Sequence, residues 1–218
     1  MEKSATDLYT GYNEGYKDFP QGVTWKKALE FAKKKHEGQL RDEGVPYFEH
    51  IRAVMEILIH EANTFDDTIL TIAALHDVIE DTDCTYGEVA KEFGENIADA
   101  VNLLTRKPNQ SFDEYAKAIF ESNEFPYARK IKLADRLHNL RTLPNTKKPE
   151  KILKKVLETE RCILPYENCS PRDLMLKIKE ELASLRKRPE FSSKNNLGLG
   201  EFYGTNNSNN SDRTTFIR

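Results

Sequence analysis

DTILTIAALHDVIEDT, residues 67–82, is apolar on nearly every side in its first half and strongly polar from His76 onward. A helix that is apolar all round is buried on all sides, whereas a surface helix keeps one polar face. We therefore predict a central buried helix that starts at Asp67 or Thr68 and runs into His76 and Asp77.

Helical periodicity continues on both sides of this segment. Apolar residues share one face of a first helix, and others mark a second helix after a loop from residue 38 to about residue 50: Trp25, Ala28, Leu29 and Ala32, then Val54, Ile57 and Leu58. Further helices are predicted over 86–93, 95–104, 112–123, 126–141, 150–165 and 171–187. Because the chain has no alternating strand pattern and no internal repeat, the predicted fold class is all-α, a helical bundle.

We expect one domain, residues 24–188, between two weakly structured ends. Residues 1–23 have no periodicity and are predicted to be a loosely ordered N-terminal lead-in. Residues 189–218 are rich in Asn and Gly and poor in apolar residues, a composition that buries too little surface to offset chain entropy. This polar tail is predicted to be disordered.

The composition limits the partners that the chain can have. Its formal net charge of −3 argues against general binding of nucleic acid. No segment approaches 18 consecutive apolar residues, so we expect no membrane span, and the first residues lack the apolar stretch of a signal peptide. The three cysteines have no metal-type spacing and are expected to be reduced thiols of a cytoplasmic protein. The oligomeric state is left open.

The polar end of the central segment combines an imidazole with three carboxylates. On a helix, His76 and Glu80 lie one turn apart, and so do Asp77 and Asp81, which puts all four on one face. Crowded carboxylates repel one another, and a divalent cation is the simplest counter-charge. Imidazole with carboxylate suits Mn²⁺, Zn²⁺ or Fe²⁺ better than Ca²⁺. The alternative is a solvated helix end, although acidic residues at a helix C-terminus oppose the helix dipole.

A second segment places Asp135 between apolar neighbours on a predicted helix. A buried carboxylate needs a partner, which is either a basic neighbour, Lys132 or Arg136, or a metal shared with His76 and Asp77. Basic residues are frequent around this segment and can form a rim for a polyphosphate: Arg106, Lys107, Lys130, Lys132, Arg136, Arg141, Lys147 and Lys148.

Three separated motifs together carry a family resemblance. They are H-x-G-Q-x-R…G-x-P-Y-x-x-H over residues 36–50, A-x-L-H-D-x-x-E-D-T over residues 73–82, and K-L-A-D-R-L-H-N-x-R-T-L over residues 132–143. In this order they resemble the HD-superfamily hydrolase domain of RelA/SpoT proteins and the stand-alone small alarmone hydrolases, which include the metazoan SpoT homologue. The similarity covers about residues 24–143.

The resemblance implies an HD-domain helical bundle that binds one Mn²⁺ per chain and hydrolyses guanosine alarmones. It implies metal ligation by two histidines and two aspartates, which are His50, His76, Asp77 and Asp135. Glu80 and Asp81 correspond to a catalytic pair beside the metal. Three residues correspond to substrate-binding positions, Arg41 packing on the nucleobase and Asn139 and Thr142 contacting ribose and base. The reaction implied is release of pyrophosphate from the 3′ side of ppGpp or pppGpp, which leaves GDP or GTP.

Departures from the family pattern keep other functions open. Ile51 follows His50 where the family usually has proline, and Asp42-Glu43 replaces a basic-then-small pair. One alternative is an HD phosphohydrolase for another nucleotide, such as ppApp or a deoxynucleotide. A second alternative is a regulatory module that binds a nucleotide without turnover, which the intact Glu80-Asp81 pair disfavours.

Overall fold

Helices account for nearly all the regular structure of the chain. The computed structural model describes residues 24–146, 148–188 and 191. No strand forms among these residues, where one isolated antiparallel bridge joins Leu40 to Pro46. The all-α prediction is therefore confirmed. The predicted lead-in and nearly all of the predicted polar tail lie outside the described residues, so their disorder stays a prediction.

Ten α-helices follow one another along the described part of the chain. They are α1 Thr24–Lys35, α2 Phe48–Glu56, α3 Asp67–Leu75, α4 Val78–Asp81, α5 Tyr86–Phe93, α6 Glu95–Leu104, α7 Phe112–Phe120, α8 Ala128–Thr142, α9 Pro149–Cys162 and α10 Arg172–Leu185. A π-helical turn, Ile57–Glu61, continues α2, and 3-10 turns span Leu143–Asn145 and Leu164–Cys169. None of the helices in this part of the chain is long and apolar enough to cross a membrane.

Helix α3 lies at the centre of the bundle, as its apolar sequence predicts. It is buried from Leu70 to Leu75 and packs against α1, α2 and α6. The Asp66 side chain caps α3 by accepting the Ile69 N–H at 2.9 Å. Asp67 Oδ1 accepts the Trp25 N–H at 3.1 Å, which ties the first turn of α1 to the start of α3.

The prediction that α3 runs into His76 and Asp77 is wrong. Helix α3 ends at Leu75, and α4 is a separate four-residue helix. The His76 Nδ1–H donates to the Ala73 carbonyl oxygen at 2.8 Å. In a continuous helix that oxygen would accept the N–H of Asp77. The side chain of His76 therefore competes with the backbone at the position where the helix breaks.

The loop before α2 is also shorter than predicted. It ends before Phe48, so His50 lies in the first turn of α2 and not in the loop. Backbone bonds close the loop, because the Arg41 N–H donates to Val45 and the Tyr47 N–H donates to Gln39, each at 2.9 Å. This hairpin-like turn holds Arg41 above the end of α8.

Helix α8 joins the separate parts of the bundle. It packs against α2, α6, α7, α9 and α10, and its middle is buried, including Asp135 and Arg136. Helical spacing places Asp135, Asn139 and Thr142 along one stripe, whereas Lys132 and Arg136 form a neighbouring stripe. The first stripe faces the loop between α1 and α2, and the second faces α7 and α9.

Candidate active site

A cleft of about 470 Å³ opens between the loop after α1, helix α4, α8 and α9. Its lining includes most of the residues that the sequence motifs single out: Arg41, Asp77, Glu80, Asp81, Asp135, Asn139 and Thr142. Basic residues from several elements complete the wall: Arg106, Lys132, Arg136, Lys151, Lys154 and Lys155.

Two imidazoles and a carboxylate meet beneath this cleft. His50, His76 and Asp135 are all buried, and each offers one ligand atom such that the three atoms lie within 4.8 Å of one another. They come from α2, from the turn after α3 and from α8, so 85 sequence positions separate the first from the last. Such a group is suited to hold a metal ion.

Asp77 contacts both imidazoles of this group. Its Oδ2 lies 3.3 Å from His50 Nε2 and 3.1 Å from His76 Nε2, and it also accepts the Tyr47 hydroxyl at 2.7 Å. Burial alone would raise the pKa of Asp77, but the neighbouring His76 holds that pKa well below its usual value. Asp77 is therefore an ionised carboxylate at the edge of the His50–His76–Asp135 group.

The hydrogen bonding of His76 fits a metal ligand. Its Nδ1–H donates to the Ala73 carbonyl oxygen, so in the neutral ring the Nε2 carries a free lone pair. That Nε2 is buried and lies 3.1 Å from Asp77 Oδ2, but among the described residues it makes no hydrogen bond of good geometry. An unsatisfied buried nitrogen is costly unless something binds it. A divalent cation bound here would accept the lone pair of His76 Nε2 and would also neutralise the charge of Asp77.

His138 orients His50, a role that spacing alone did not reveal. The two Nδ1 atoms lie 2.7 Å apart, so one ring donates to the other. Burial, together with the nearby His50, lowers the pKa of His138 to about 3, and His138 is neutral at physiological pH. When His138 accepts from the Nδ1–H of His50, the Nε2 of His50 turns its lone pair towards Asp77 and Asp135.

Replacing His138 with leucine is expected to weaken binding of a divalent metal by about 10–100-fold, the usual effect of removing a residue that orients a ligating histidine. His138→Gln keeps a hydrogen-bond acceptor and should lose less affinity. Calorimetric titration with Mn²⁺ measures both, with the exposed His60→Leu as the matched control. Unchanged affinity in His138→Leu would show that the His50–His138 bond has only a packing role.

Glu80 and Asp81 reach the cleft by different contacts. Glu80 Oε2 accepts the Arg106 N–H at 2.8 Å, and burial raises the pKa of this carboxyl above its ordinary value. Asp81 Oδ2 accepts from the Tyr47 hydroxyl at 2.5 Å. The hydroxyl has one proton, so it donates to Asp77 or to Asp81 but not to both at once. Tyr47 is itself held by stacking on His36, with ring centroids 4.7 Å apart.

The three residues that the resemblance assigns to substrate binding form one group. Arg41 Nη2 donates to Asn139 Oδ1 at 3.2 Å and to Thr142 Oγ1 at 3.1 Å. Asn139 also donates to Asp135, which links this group to the buried His50–His76–Asp135 group. The loop after α1 and the end of α8 therefore meet beside the histidines.

Asp135 has one of the partners that the sequence leaves open, the basic neighbour Lys132, and it also lies beside His50. Lys132 Nζ donates to its Oδ2 at 2.7 Å, while its Oδ1 lies 3.3 Å from His50 Nε2. The Lys132 ammonium offsets the burial of Asp135 and helps to hold the pKa of that carboxyl well below its usual range. Arg136 is not a partner of Asp135, because its guanidinium lies over the Phe112 ring.

The predicted basic rim is only partly correct. Lys130 donates to the Ala62 carbonyl oxygen, and Arg141 pairs with Glu61 at 2.6 Å, so both point away from the cleft. Lys147 lies outside the described residues. Three further lysines, all on α9, line the cleft and were not predicted from the sequence: Lys151, Lys154 and Lys155. Their i, i+3 and i+4 spacing is a detectable signal, although such a stripe usually marks a solvated helix face.

Comparison with known proteins agrees with this architecture. A family model described as an HD domain matches residues 28–121. The human guanosine-3′,5′-bis(diphosphate) 3′-pyrophosphohydrolase MESH1 is 40% identical over 121 residues, which are 54% of this chain and 68% of MESH1. The chain belongs to the MESH1 family of HD-domain hydrolases.

Other members of the wider group are much longer than MESH1. The guanosine-3′,5′-bis(diphosphate) 3′-pyrophosphohydrolase of Aquifex aeolicus is 37% identical over 140 residues, and the match spans 61% of this chain but only 20% of that protein. A solved structure described as a metazoan ortholog of SpoT that hydrolyzes ppGpp has a TM-score of 0.67 at 28% sequence identity. It covers 75% of this chain and 96% of the solved chain, which confirms the HD-domain helical bundle.

Proposed function

We propose that this chain hydrolyses the 3′-pyrophosphate of guanosine 3′,5′-bis(diphosphate), giving GDP and pyrophosphate. The observation that carries this proposal is the junction on α8, where Asn139 contacts both Arg41 and Asp135. The junction brings the proposed nucleoside-binding residues next to the buried histidines. The names of human MESH1 and of the Aquifex aeolicus relative, both guanosine-3′,5′-bis(diphosphate) 3′-pyrophosphohydrolases, support the same reaction.

We further propose that His50, His76, Asp77 and Asp135 hold one Mn²⁺. Two imidazole nitrogens and two carboxylate oxygens form a donor set that suits this ion. The convergence of His50 Nε2 and His76 Nε2 on Asp77 Oδ2, at 3.3 and 3.1 Å, favours it. When bound, such an ion acts as a Lewis acid that stabilises charge on phosphoryl oxygens and makes nearby water more acidic.

The carboxylates of α4 are proposed to move the protons. Water adds its oxygen to the phosphorus attached to the ribose 3′-oxygen, the bond between that phosphorus and the 3′-oxygen breaks, and the 3′-oxygen gains a proton. Glu80 is the proposed base that takes the proton from water, because burial raises its pKa and makes it a stronger base than an ordinary glutamate. Asp81, whose carboxylate is held by Tyr47, is the proposed partner in proton transfer to the 3′-oxygen.

Nucleoside binding is proposed for the Arg41 group. The Arg41 guanidinium is planar and suited to stack on a purine, and its bonds to Asn139 and Thr142 hold it at the cleft. Asp42 is turned away from this group and pairs with Lys151 of α9. Glu43 Oε2 lies 3.5 Å from Arg41 Nε, and Arg41 is the proposed contact to the base.

A substrate panel tests the proposal. Purified protein with Mn²⁺ is incubated with ppGpp, pppGpp, ppApp and a set of deoxynucleoside triphosphates, and products are resolved by chromatography. We expect ppGpp and pppGpp to give GDP and GTP with the highest kcat/KM. A preference for ppApp or a deoxynucleotide would contradict guanine specificity while keeping the hydrolase. Binding without turnover of any substrate would identify a regulatory module.

A further inference from the structure

The wall of the cleft between α8 and α9 contains a buried guanidinium with incomplete hydrogen bonding. Arg136 is only 2% exposed, and its Nε and Nη1 have no hydrogen-bond partner within the described segments of the chain. Its guanidinium carbon lies 4.6 Å from the centre of the Phe112 ring, a cation–π contact that holds the group at this wall. Burying such nitrogens without partners costs free energy that a bound anion would offset.

The nearest carboxylate does not satisfy Arg136. Glu158 Oε2 lies 3.5 Å from Arg136 Nη1, and this oxygen is itself buried without a hydrogen-bond partner. Lys155 Nζ lies 3.7 Å from the same oxygen, and Lys154 Nζ lies 4.0 Å from the other oxygen. One carboxylate therefore stands among three cations at distances longer than good hydrogen bonds, so positive charge is in excess here.

The excess charge lies where a substrate can reach it. Arg136, Lys154, Lys155 and Glu158 all line the same cleft as Asp77 and Asp135. Burial, together with the nearby Arg136, lowers the pKa of Lys155 to about 8, as expected of an ammonium group that lacks a strong counter-ion. A terminal phosphoryl group carries close to two negative charges and three acceptor oxygens, which match a guanidinium with two neighbouring ammonium groups.

We propose that Arg136 and Lys155 form a phosphate subsite that binds a terminal phosphoryl group of the substrate, apart from the metal ligands. This inference rests on the proposed function, because it names how the alarmone is recognised. The chemistry is the same whether the phosphoryl group belongs to the departing 3′-pyrophosphate or to the 5′-diphosphate. Binding of pyrophosphate represents the departing 3′ group, and binding of GDP represents the 5′-diphosphate. Guanosine, which has no phosphate, measures binding of the nucleoside alone.

Calorimetric titration of pyrophosphate, GDP and guanosine, each with and without Mn²⁺, tests the subsite independently of turnover. Lys155→Met keeps most of the side-chain length and is expected to raise the Kd of pyrophosphate or GDP about tenfold, the usual effect of losing a hydrogen bond to a charged group. The Kd of guanosine should not change. Arg136→Lys should show the same selective loss, and Lys91→Met, an exposed change of equal charge on α5, should match wild type.

Each outcome decides one point. Weakened pyrophosphate alone places the subsite on the leaving-group side, and weakened GDP alone places it on the 5′ side. If wild type binds neither probe, or if Lys155→Met binds both as tightly as Lys91→Met, the subsite is wrong. Should Arg136→Lys fail to fold, the Lys155 variant still decides. If wild type does not hydrolyse ppGpp, but Lys155→Met binds pyrophosphate or GDP more weakly and guanosine equally well, the proposed function is wrong and the subsite is supported.

Discussion

Replacing Asp77 with alanine is expected to abolish both Mn²⁺ binding and alarmone hydrolysis. Asp77 Oδ2 is within 3.3 Å of His50 Nε2 and His76 Nε2, so the change removes a charged oxygen from between the two imidazoles. Asp81 cannot replace it, because the Asp81 carboxylate is held by Tyr47 at the mouth of the cleft. The change removes one of the two carboxylates from the proposed donor set, so we expect the divalent ion to be lost during gel filtration.

Metal content after gel filtration, together with calorimetric titration, measures this effect. Asp83→Ala is the matched control, because Asp83 is exposed, lies near the site in sequence and pairs with Lys35 instead. The control should bind metal like wild type. One tightly bound Mn²⁺ per chain in Asp77→Ala would contradict the proposed ligand set.

Changing Glu80 to glutamine is expected to separate catalysis from metal binding. The amide keeps the size of the side chain and an oxygen that can accept the Arg106 N–H, but it cannot take a proton from water. We expect kcat to fall by roughly 10²–10⁴-fold, the usual contribution of a positioned acid–base group. KM should change much less, because the group acts mainly on the transition state.

Steady-state kinetics with ppGpp and a parallel Mn²⁺ titration measure this separation, and exposed Glu124→Gln is the control. Full turnover by Glu80→Gln would mean that Glu80 is a structural carboxylate at the helix end. Loss of the metal would instead place Glu80 among the ligands, and the set of four would need revision.

Most helices of this fold could be predicted because they bury a periodic apolar face, whereas the four-residue α4 buries only Val78. Helices α5 and α6 have the predicted bounds, and the ends of α7 to α10 differ from the predictions by only a few residues. The break after Leu75 could not be found in this way, because it depends on a bond between the His76 side chain and the Ala73 carbonyl oxygen. Hydrophobic periodicity carries no information about such local competition.

Some residues of the proposed site could be predicted from sequence motifs, whereas the contacts between them could not, because they depend on how the helices pack. The family motifs assign Arg41, Asn139 and Thr142 to substrate binding, but their pairing is visible only in the structure, since these residues meet only in the folded chain. The contact of His138 with His50 and the lysines of α9 depend on how helices pack, which neither spacing nor composition specifies. Charged residues are usually solvated, so sequence alone favours a surface role for those lysines.

Hydrolysis of ppGpp in H₂¹⁸O, with products analysed by mass spectrometry, tests the proposed reaction most directly. Attack of water on the phosphorus attached to the ribose 3′-oxygen predicts GDP without label and pyrophosphate with one ¹⁸O atom, formed only when Mn²⁺ is present. Release of inorganic phosphate with a guanosine that retains a 3′-phosphate, or label in the 3′-hydroxyl of GDP, would contradict it.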